Sequence, residues 1–544
     1  MFTSKLAVKA FQLALIIFVT FQVNFGQQVD RKSLAEQVKK EFLHAWSGYK
    51  QYCWGHDDLK PLSKTCRDWY GTPILMTPID SLDSLYLLGF KKEADDTREY
   101  IAKNLSFDKD ISVQNFEITI RILGGLLSSY QITNDKRLLD LADDLGHRLL
   151  PVFDSPTGLP YKFVNLKTGK TREAVTNPAE TGTLMIEFGT LSKLTGKPVY
   201  YEKAKRALVE TYRRRSKIGL VGTNINVETG QWTNTDSHVS SEIDSYYEYL
   251  LKCSHLFGDK DCQSMWEDSI SKVHTYLADE GENMSKKNVN GPAIVGDLWY
   301  GHADMNSGKR TETTTGALDA FFPGLLAVDG DLNRARALQD SMFLMWQKNG
   351  IEPEVYNYKT GRVEHAAYPL RPEIVESTYV LYQLTKDPKY LAMGETMWRD
   401  FVKYCRTDIA YAGLKSVETK EKTDYMHSFV FAETFKYFYL LFARKRRSIL
   451  RRSFSTPKLT RFVKPGRISQ RAQSFEYGSN NFSVSSVISV AKINGKEEGV
   501  SKSRKKDPDH RRNRISRFAY RSAADRFWCE EPAGNGLVGS GMDE

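Results

Sequence analysis

Apolar residues recur along most of the chain at helical rather than strand spacing, as in the stripe Val113, Phe116, Ile120, Leu123 and Leu127. The amphipathic stretches are interrupted by one repeated kind of break: Thr133-Asn134-Asp135, Thr195-Gly196-Lys197-Pro198, Gly258-Asp259-Lys260, Asp329-Gly330-Asp331 and Thr385-Lys386-Asp387-Pro388. Each supplies a residue that tolerates left-handed backbone or starts a helix, so each predicts a tight turn between two helices. The breaks lie roughly 60 residues apart, room for two helices and a longer return loop. Segments 32–53 and 79–104 precede the series and 425–443 follows it. The pattern predicts an all-α fold of about seven helix pairs, an (α/α)7 barrel with inner helices as its wall, and few alternating strands before residue 440. An open solenoid is the alternative.

Counting back about 14 to 17 residues from the breaks, at ~1.5 Å of rise per residue, reaches positions at one height in such a ring. Those positions hold Glu117, Glu180, Asp244 and Glu373, with Gly316 and Ala317 in the remaining repeat. Taken singly, each acid reads as a residue capping a helix N-terminus. Four in phase, set among Phe116, Ile120, Ile243, Tyr246, Tyr247, Ile374 and Val375, predict carboxyls converging on one mouth. Arg121 lies one turn beyond Glu117, and Arg371 stands two residues before Glu373. An arginine can hold one carboxylate ionised while a neighbouring carboxyl keeps its proton. Glycoside hydrolysis requires that separation, one carboxylic acid protonating the leaving oxygen while a carboxylate activates water. No G-x-S-x-G, H-E-x-x-H or phosphate-binding glycine loop competes with this chemistry.

Charge changes the picture at the C-terminal end only. The net charge is +10, and residues 444–544 carry 23 Lys+Arg against 10 Asp+Glu, or +13, leaving 10 − 13 = −3 for residues 1–443. That tail, basic and Ser-rich, reads as largely disordered and not as a nucleic-acid module, even at its densest stretch, 502–517. Lys5 and Lys9 before an apolar run at residues 10–23 mark residues 1–26 as a signal peptide or, if uncleaved, a membrane anchor. Sequons at Asn104, Asn283 and Asn481 fit a secretory route. Of the six cysteines (Cys53, Cys66, Cys253, Cys262, Cys405, Cys529), Cys253 and Cys262 flank a turn and are the best candidates for a disulfide, with buried free thiols as the alternative.

Six stretches make the chain resemble a known family: Trp54-Gly55-His56-Asp57-Asp58-Leu59-Lys60-Pro61, then Pro78 to Leu85, Phe116 to Gly125, Ile243 to Lys252, Leu370 to Ser377, and Ser428 to Tyr437. From about residue 33 to 442 it is similar to the class I α-1,2-mannosidases of glycoside hydrolase family 47. The resemblance implies an (α/α)7 catalytic domain over residues 27–443 and inverting, Ca²⁺-dependent hydrolysis of α-1,2-linked mannose from high-mannose N-glycans. It matches Glu117 to the general acid, Asp244 to the other acid candidate and Glu373 to the base. Arg121, Glu180, Arg371 and Phe429 match substrate-binding residues, Phe429 as the apolar platform under the sugar; its alternative is a core aromatic. Glu373, Glu376 and Glu433 match carboxylates that reach Ca²⁺ through water.

The family's direct Ca²⁺ ligand is a Thr in a terminal Thr-Glu motif on a hairpin that plugs the barrel. Residues 444–544 contain no Thr-Glu pair, so plug and ligand are expected to be missing, and a catalytically impaired mannose-binding module is the rival function. Tyr368 through Glu373 and Ala320-Phe321-Phe322-Pro323-Gly324 resemble the ER degradation-enhancing mannosidase-like branch; Trp54 to Pro61 resembles the processing enzymes. The expected compartment is the endoplasmic reticulum lumen. Whether an oxidoreductase is a partner stays open.

Overall fold

Each of the five breaks folds as a left-handed residue followed by a helix-starting one. Asn134, Gly196, Gly258, Gly330 and Lys386 all have positive φ, between 57° and 99°. Asp135, Asp259, Asp331 and Asp387 then accept from the backbone N–H of Arg137, Cys262, Arg334 and Lys389 at 2.9–3.1 Å, while Pro198 opens its helix. The computed structural model describes residues 29–280 and 298–443, all within one compact unit; a second unit, Lys492–Glu544, lies outside the described residues.

Six helix pairs follow one another: Leu82–Leu87 with Lys91–Asn104, Gly124–Thr133 with Lys136–Leu149, Met185–Thr195 with Pro198–Arg213, Asp244–Phe257 with Lys260–Tyr276, Phe322–Asp329 with Leu332–Asn349, and Glu373–Thr385 with Lys389–Cys405. The seventh pair joins the ends of the described chain, Phe435–Phe442 packing on Arg31–Cys53. Phe42 meets Phe431 and Phe435 at 5.1 and 5.7 Å between ring centres, and Trp46 meets Phe431 at 5.4 Å. Arg31 fastens the closure by donating to the carbonyls of Leu441 and Ala443 and to the Tyr382 hydroxyl. First helices pack on one another in sequence from Leu82–Leu87 to Asp244–Phe257 and again from Phe322–Asp329 to Phe435–Phe442, and Leu82–Leu87 touches both Gly124–Thr133 and the Val430–Thr434 turn. The ring is therefore a closed (α/α)7 barrel.

Strands are more numerous than the sequence pattern predicts, though each is only two to four residues long. They form small antiparallel sheets, among them Ser112–Gln114 with Phe163–Asn165 and Thr171–Arg172, and Thr314–Gly316 with Val355–Asn357 and Arg362–His365. Elements this short carry too few residues for alternation to register. Their importance is positional. Ser112–Gln114, Val175–Thr176, Asp236–Ser237 and Thr314–Gly316 each lead into an inner helix, so the sheets ring the end of the barrel where those helices start. Gly316 lies opposite Val355, and a Cβ there would stand 2.0 Å from the Glu354 carbonyl oxygen, so only glycine lets that strand approach.

Among the described residues there are two disulfides, Cys253–Cys262 and Cys53–Cys66, and Cys405 is a buried thiol. The second pair was not singled out by spacing; the Asp58–Lys60 and Thr65–Arg67 hairpin brings it together. Asn104 is exposed at the end of its helix. The proposed leader 1–26, the basic tail, Asn283, Asn481 and Cys529 lie outside the described residues. No helix among the described residues is long and apolar enough to cross a membrane.

Candidate active site

Acids stand in or just before the first turns of the inner helices, and two of those lead-in turns are π-helical: Ile118–Leu123 and Val430–Thr434. Such turns are frequent at functional sites because they re-aim side chains within a helix. Arg121 donates from Nε to Glu117 Oε2 at 2.8 Å, and its Nη1 stands 3.9 Å from Asp80 Oδ2. Its guanidinium lies 5.5 Å from the centre of the Phe429 ring and 5.8 Å from that of Trp69. Ser428 donates to Asp80 at 2.5 Å. Even so, burial pushes the Asp80 carboxyl up to about 7, against the pull of Arg121.

On the neighbouring wall Glu180 accepts from Gln114 at 2.8 Å and Thr176 at 3.2 Å, with Lys162 3.8 Å away. Burial raises it to about 7. Asp244, first residue of its helix, accepts from the Ser245 backbone and hydroxyl at 2.6 and 3.1 Å. Burial, reinforced by the charges of Glu248 and Asp319, brings it to about 7. The repeat that shows only Gly316 and Ala317 at the acid phase carries its carboxylate slightly later. Asp319, buried, accepts from the Gly316 N–H at 3.0 Å and is raised to about 6 by burial.

Glu373 is half-buried, and its Oε2, which is shielded from solvent, finds no hydrogen-bond partner. Burial holds it well above the usual carboxylate range; Arg371 opposes the shift, and Glu433 and Glu354 add to it. Arg371 forks onto both Glu354 oxygens, with Nε to Oε2 at 3.1 Å. Glu352 is fully buried with neither carboxylate oxygen paired, beside the charges of Glu373 and Glu354. Glu376 accepts from the Tyr437 hydroxyl at 2.8 Å and is raised by burial to about 7; Glu433 is raised by burial as well. Lys252, 2.5 Å from Glu248, and Lys436, 3.7 Å from Asp83, are the buried cations nearby.

Charge interactions run from Glu117 through Arg121 to Glu433, from Glu433 to Glu373, and from Arg371 to both Glu373 and Asp244. The structure thus places Glu117, Arg121, Glu180, Asp244, Arg371, Glu373, Glu376, Phe429 and Glu433 around one end of the barrel. Sequence reasoning missed Asp80, Asp319, Glu352, Glu354 and Lys252. Lys252 and Glu248, spaced i,i+4 beyond Asp244, were the legible signal among them.

Carboxylates outnumber cations here, and an unpartnered buried oxygen is costly unless protonated or met by a cation. Glu373, Glu376 and Glu433 offer only oxygen atoms, a chemistry that suits a hard divalent ion such as Ca²⁺ and no soft one.

The pattern of glycosyl hydrolase family 47 matches residues 41–455. The chain belongs to that family. It is thereby a glycosidase by type, and family 47 is generally calcium-dependent. Alpha-mannosidase I MNS5 of Arabidopsis thaliana is 38% identical over 465 residues, spanning 79% of this chain and 78% of the plant protein. Human ER degradation-enhancing alpha-mannosidase-like protein 3 is 36% identical across 76% of this chain and 46% of its own length. Rat endoplasmic reticulum mannosyl-oligosaccharide 1,2-alpha-mannosidase is 35% identical across 75% and 64%. The alpha-1,2-mannosidase from Trichoderma reesei superposes with a TM-score of 0.68 at 26% identity, covering 76% of this chain and 94% of the fungal one.

Proposed function

We propose that this family 47 member hydrolyses α-1,2-linked mannose from high-mannose N-glycans of glycoproteins in the secretory pathway, most suitably in the endoplasmic reticulum lumen. One observation carries the reading: acids from separate inner helices share a buried end of the barrel with Arg121 and Phe429, while Glu373 keeps an oxygen unpaired.

In this proposal Phe429 supports the apolar face of the sugar, and Arg121 and Arg371 hold its hydroxyls and fix the carboxylates beside them. Asp244, raised to about 7, holds a proton near neutral pH and can give it to the departing glycosidic oxygen. Glu117, ion-paired to Arg121, is the second acid candidate. Glu373 takes the proton of the attacking water through its free oxygen, which inverts the anomeric centre. Glu373, Glu376 and Glu433 would hold Ca²⁺ through water. Bound there, the ion supplies the positive charge that keeps these carboxylates ionised at neutral pH.

Incubating the purified chain with a high-mannose oligosaccharide tests this. Release of mannose that chelator abolishes and Ca²⁺ restores supports the reading; binding without release overturns it. That second outcome is what a mannose-binding module gives.

A further inference from the structure

Two histidines that take no part in the proposed hydrolysis stand together at the barrel mouth. Ser237 pairs with Ala303 and Asp236 with Asp304 in an antiparallel two-strand ladder. Carried one step further, that register sets His238 opposite His302, and alternation puts Asp236 on the same face as His238. The imidazole centres are 4.3 Å apart, with the rings tilted by 34°. One nitrogen from each ring and one Asp236 oxygen all lie within 4.8 Å of one another.

We propose that Asp236, His238 and His302 form a site for a divalent transition metal of the zinc type, separate from the carboxylate set around Glu373. Two imidazoles and one carboxylate are the donors that zinc accepts with a fourth position left open. Calcium, which takes six to eight oxygens, is not served by this set.

Hydrogen bonds already orient all three side chains, and the Asp236 charge raises His302, so an ion would compete with a proton on that ring. His238 Nδ1 accepts from the Ser240 backbone N–H (3.2 Å), so in the neutral ring the proton sits on Nε2, and an ion would take Nδ1 in place of that hydrogen bond. Its other nitrogen meets the Thr223 hydroxyl at 3.1 Å, and that hydroxyl donates onward to the Asp236 carbonyl, which fixes the ring's orientation. Burial favours the same neutral form. His302 is oriented by Asp236 Oδ2 at 2.7 Å through Nδ1 and by Thr314 at 3.3 Å through Nε2. Thr311 holds the second Asp236 oxygen at 2.6 Å. Three ligands at ~2.1 Å around a tetrahedral ion stand about 3.4 Å apart, so side-chain movement of up to about 1.4 Å gathers them while the backbone stays in place. The ladder they cap has two residues per strand, too short to hold itself, and a shared ion would pin it.

The experiment uses the full chain, stripped with chelator and returned to saturating Ca²⁺, then titrated with ZnCl₂ in a calorimeter. One equivalent should bind, with affinity reduced 100-fold or more in His238→Ala and in His302→Ala, and zinc should raise the thermal midpoint of the unmodified protein alone. Because either variant could fold poorly, the unmodified chain is also titrated with Co²⁺, and one equivalent should give the visible d–d bands of a four-coordinate nitrogen and oxygen site. No binding of zinc, binding that both variants retain, or no cobalt band at one equivalent overturns the proposal. Mannose release is not read, so failure here leaves the hydrolase proposal untouched.

Discussion

The two sides of the barrel mouth treat their carboxylates differently. Around Phe429, Glu117 is paired with Arg121, and Asp80 takes a hydroxyl from Ser428 with the same arginine nearby. Around Glu373, three glutamates and the orphaned Glu352 crowd together with Arg371 already committed to Glu354. A wall that brings its own counter-charge is finished when the chain folds. A wall whose cations, Lys252 and Lys436 near Glu376 and Glu433, still leave its carboxyls raised must be completed by protons or by a further cation, and which of them arrives depends on the medium.

Removing the uncompensated group should have the largest effect. Glu373→Gln is expected to lower kcat by ~10³-fold or more, within or beyond the ~10²–10⁴ typical of a lost general base, while in chelator at pH 8 its thermal midpoint should exceed that of the unmodified chain. A lower midpoint there would mean that Glu373 is compensated after all. Glu117→Gln on the paired side, and Asp244→Asn beside Arg371, are each expected to cost ~10²-fold in kcat. In the unmodified chain kcat should fall as pH rises past about 7, the value to which burial brings Asp244. Asp244→Asn should abolish that limb; a limb that survives assigns the proton elsewhere.

Stability should show the same contrast more weakly. Asp244 and Glu376 are both raised to about 7 from ordinary values of 3.8 and 4.5. A carboxyl raised in the folded state favours folding below its unfolded pKa and loses that contribution as pH climbs through the folded one. Cation-free protein should therefore melt several degrees lower at pH 8 than at pH 5, and Ca²⁺ should restore the midpoint chiefly at pH 8, as read by calorimetry. Smallest of all, Phe429→Leu should raise KM about 10-fold through lost ring contact, roughly 1.4 kcal/mol, with little change in kcat.

The hairpin repeat was legible because its punctuation is local: Asn134-Asp135 or Gly330-Asp331 specifies a turn without help from the rest of the chain. The phase of Glu117, Glu180, Asp244 and Glu373 was legible for the same reason, each lying a fixed number of residues before such a turn. Asp80 and Glu354 were not, since neither lies on that phase. Asp80 ends the short Met76–Asp80 helix, and Glu354 sits where the Thr314–Gly316 strand lets Val355–Asn357 approach. His238 and His302 needed a strand register that ladders of two residues do not announce.

The closing pair has a consequence for how the molecule is made. Phe42 and Trp46 leave the ribosome near the beginning of synthesis, yet Phe431 and Phe435, the rings that cover them, come at the end of the barrel. At roughly 5–20 residues per second, a sticky aromatic seam is left bare for tens of seconds on each nascent copy. The final helix thus acts as the latch on a wheel assembled spoke by spoke, and a chain stopped short of it leaves the wheel unlocked.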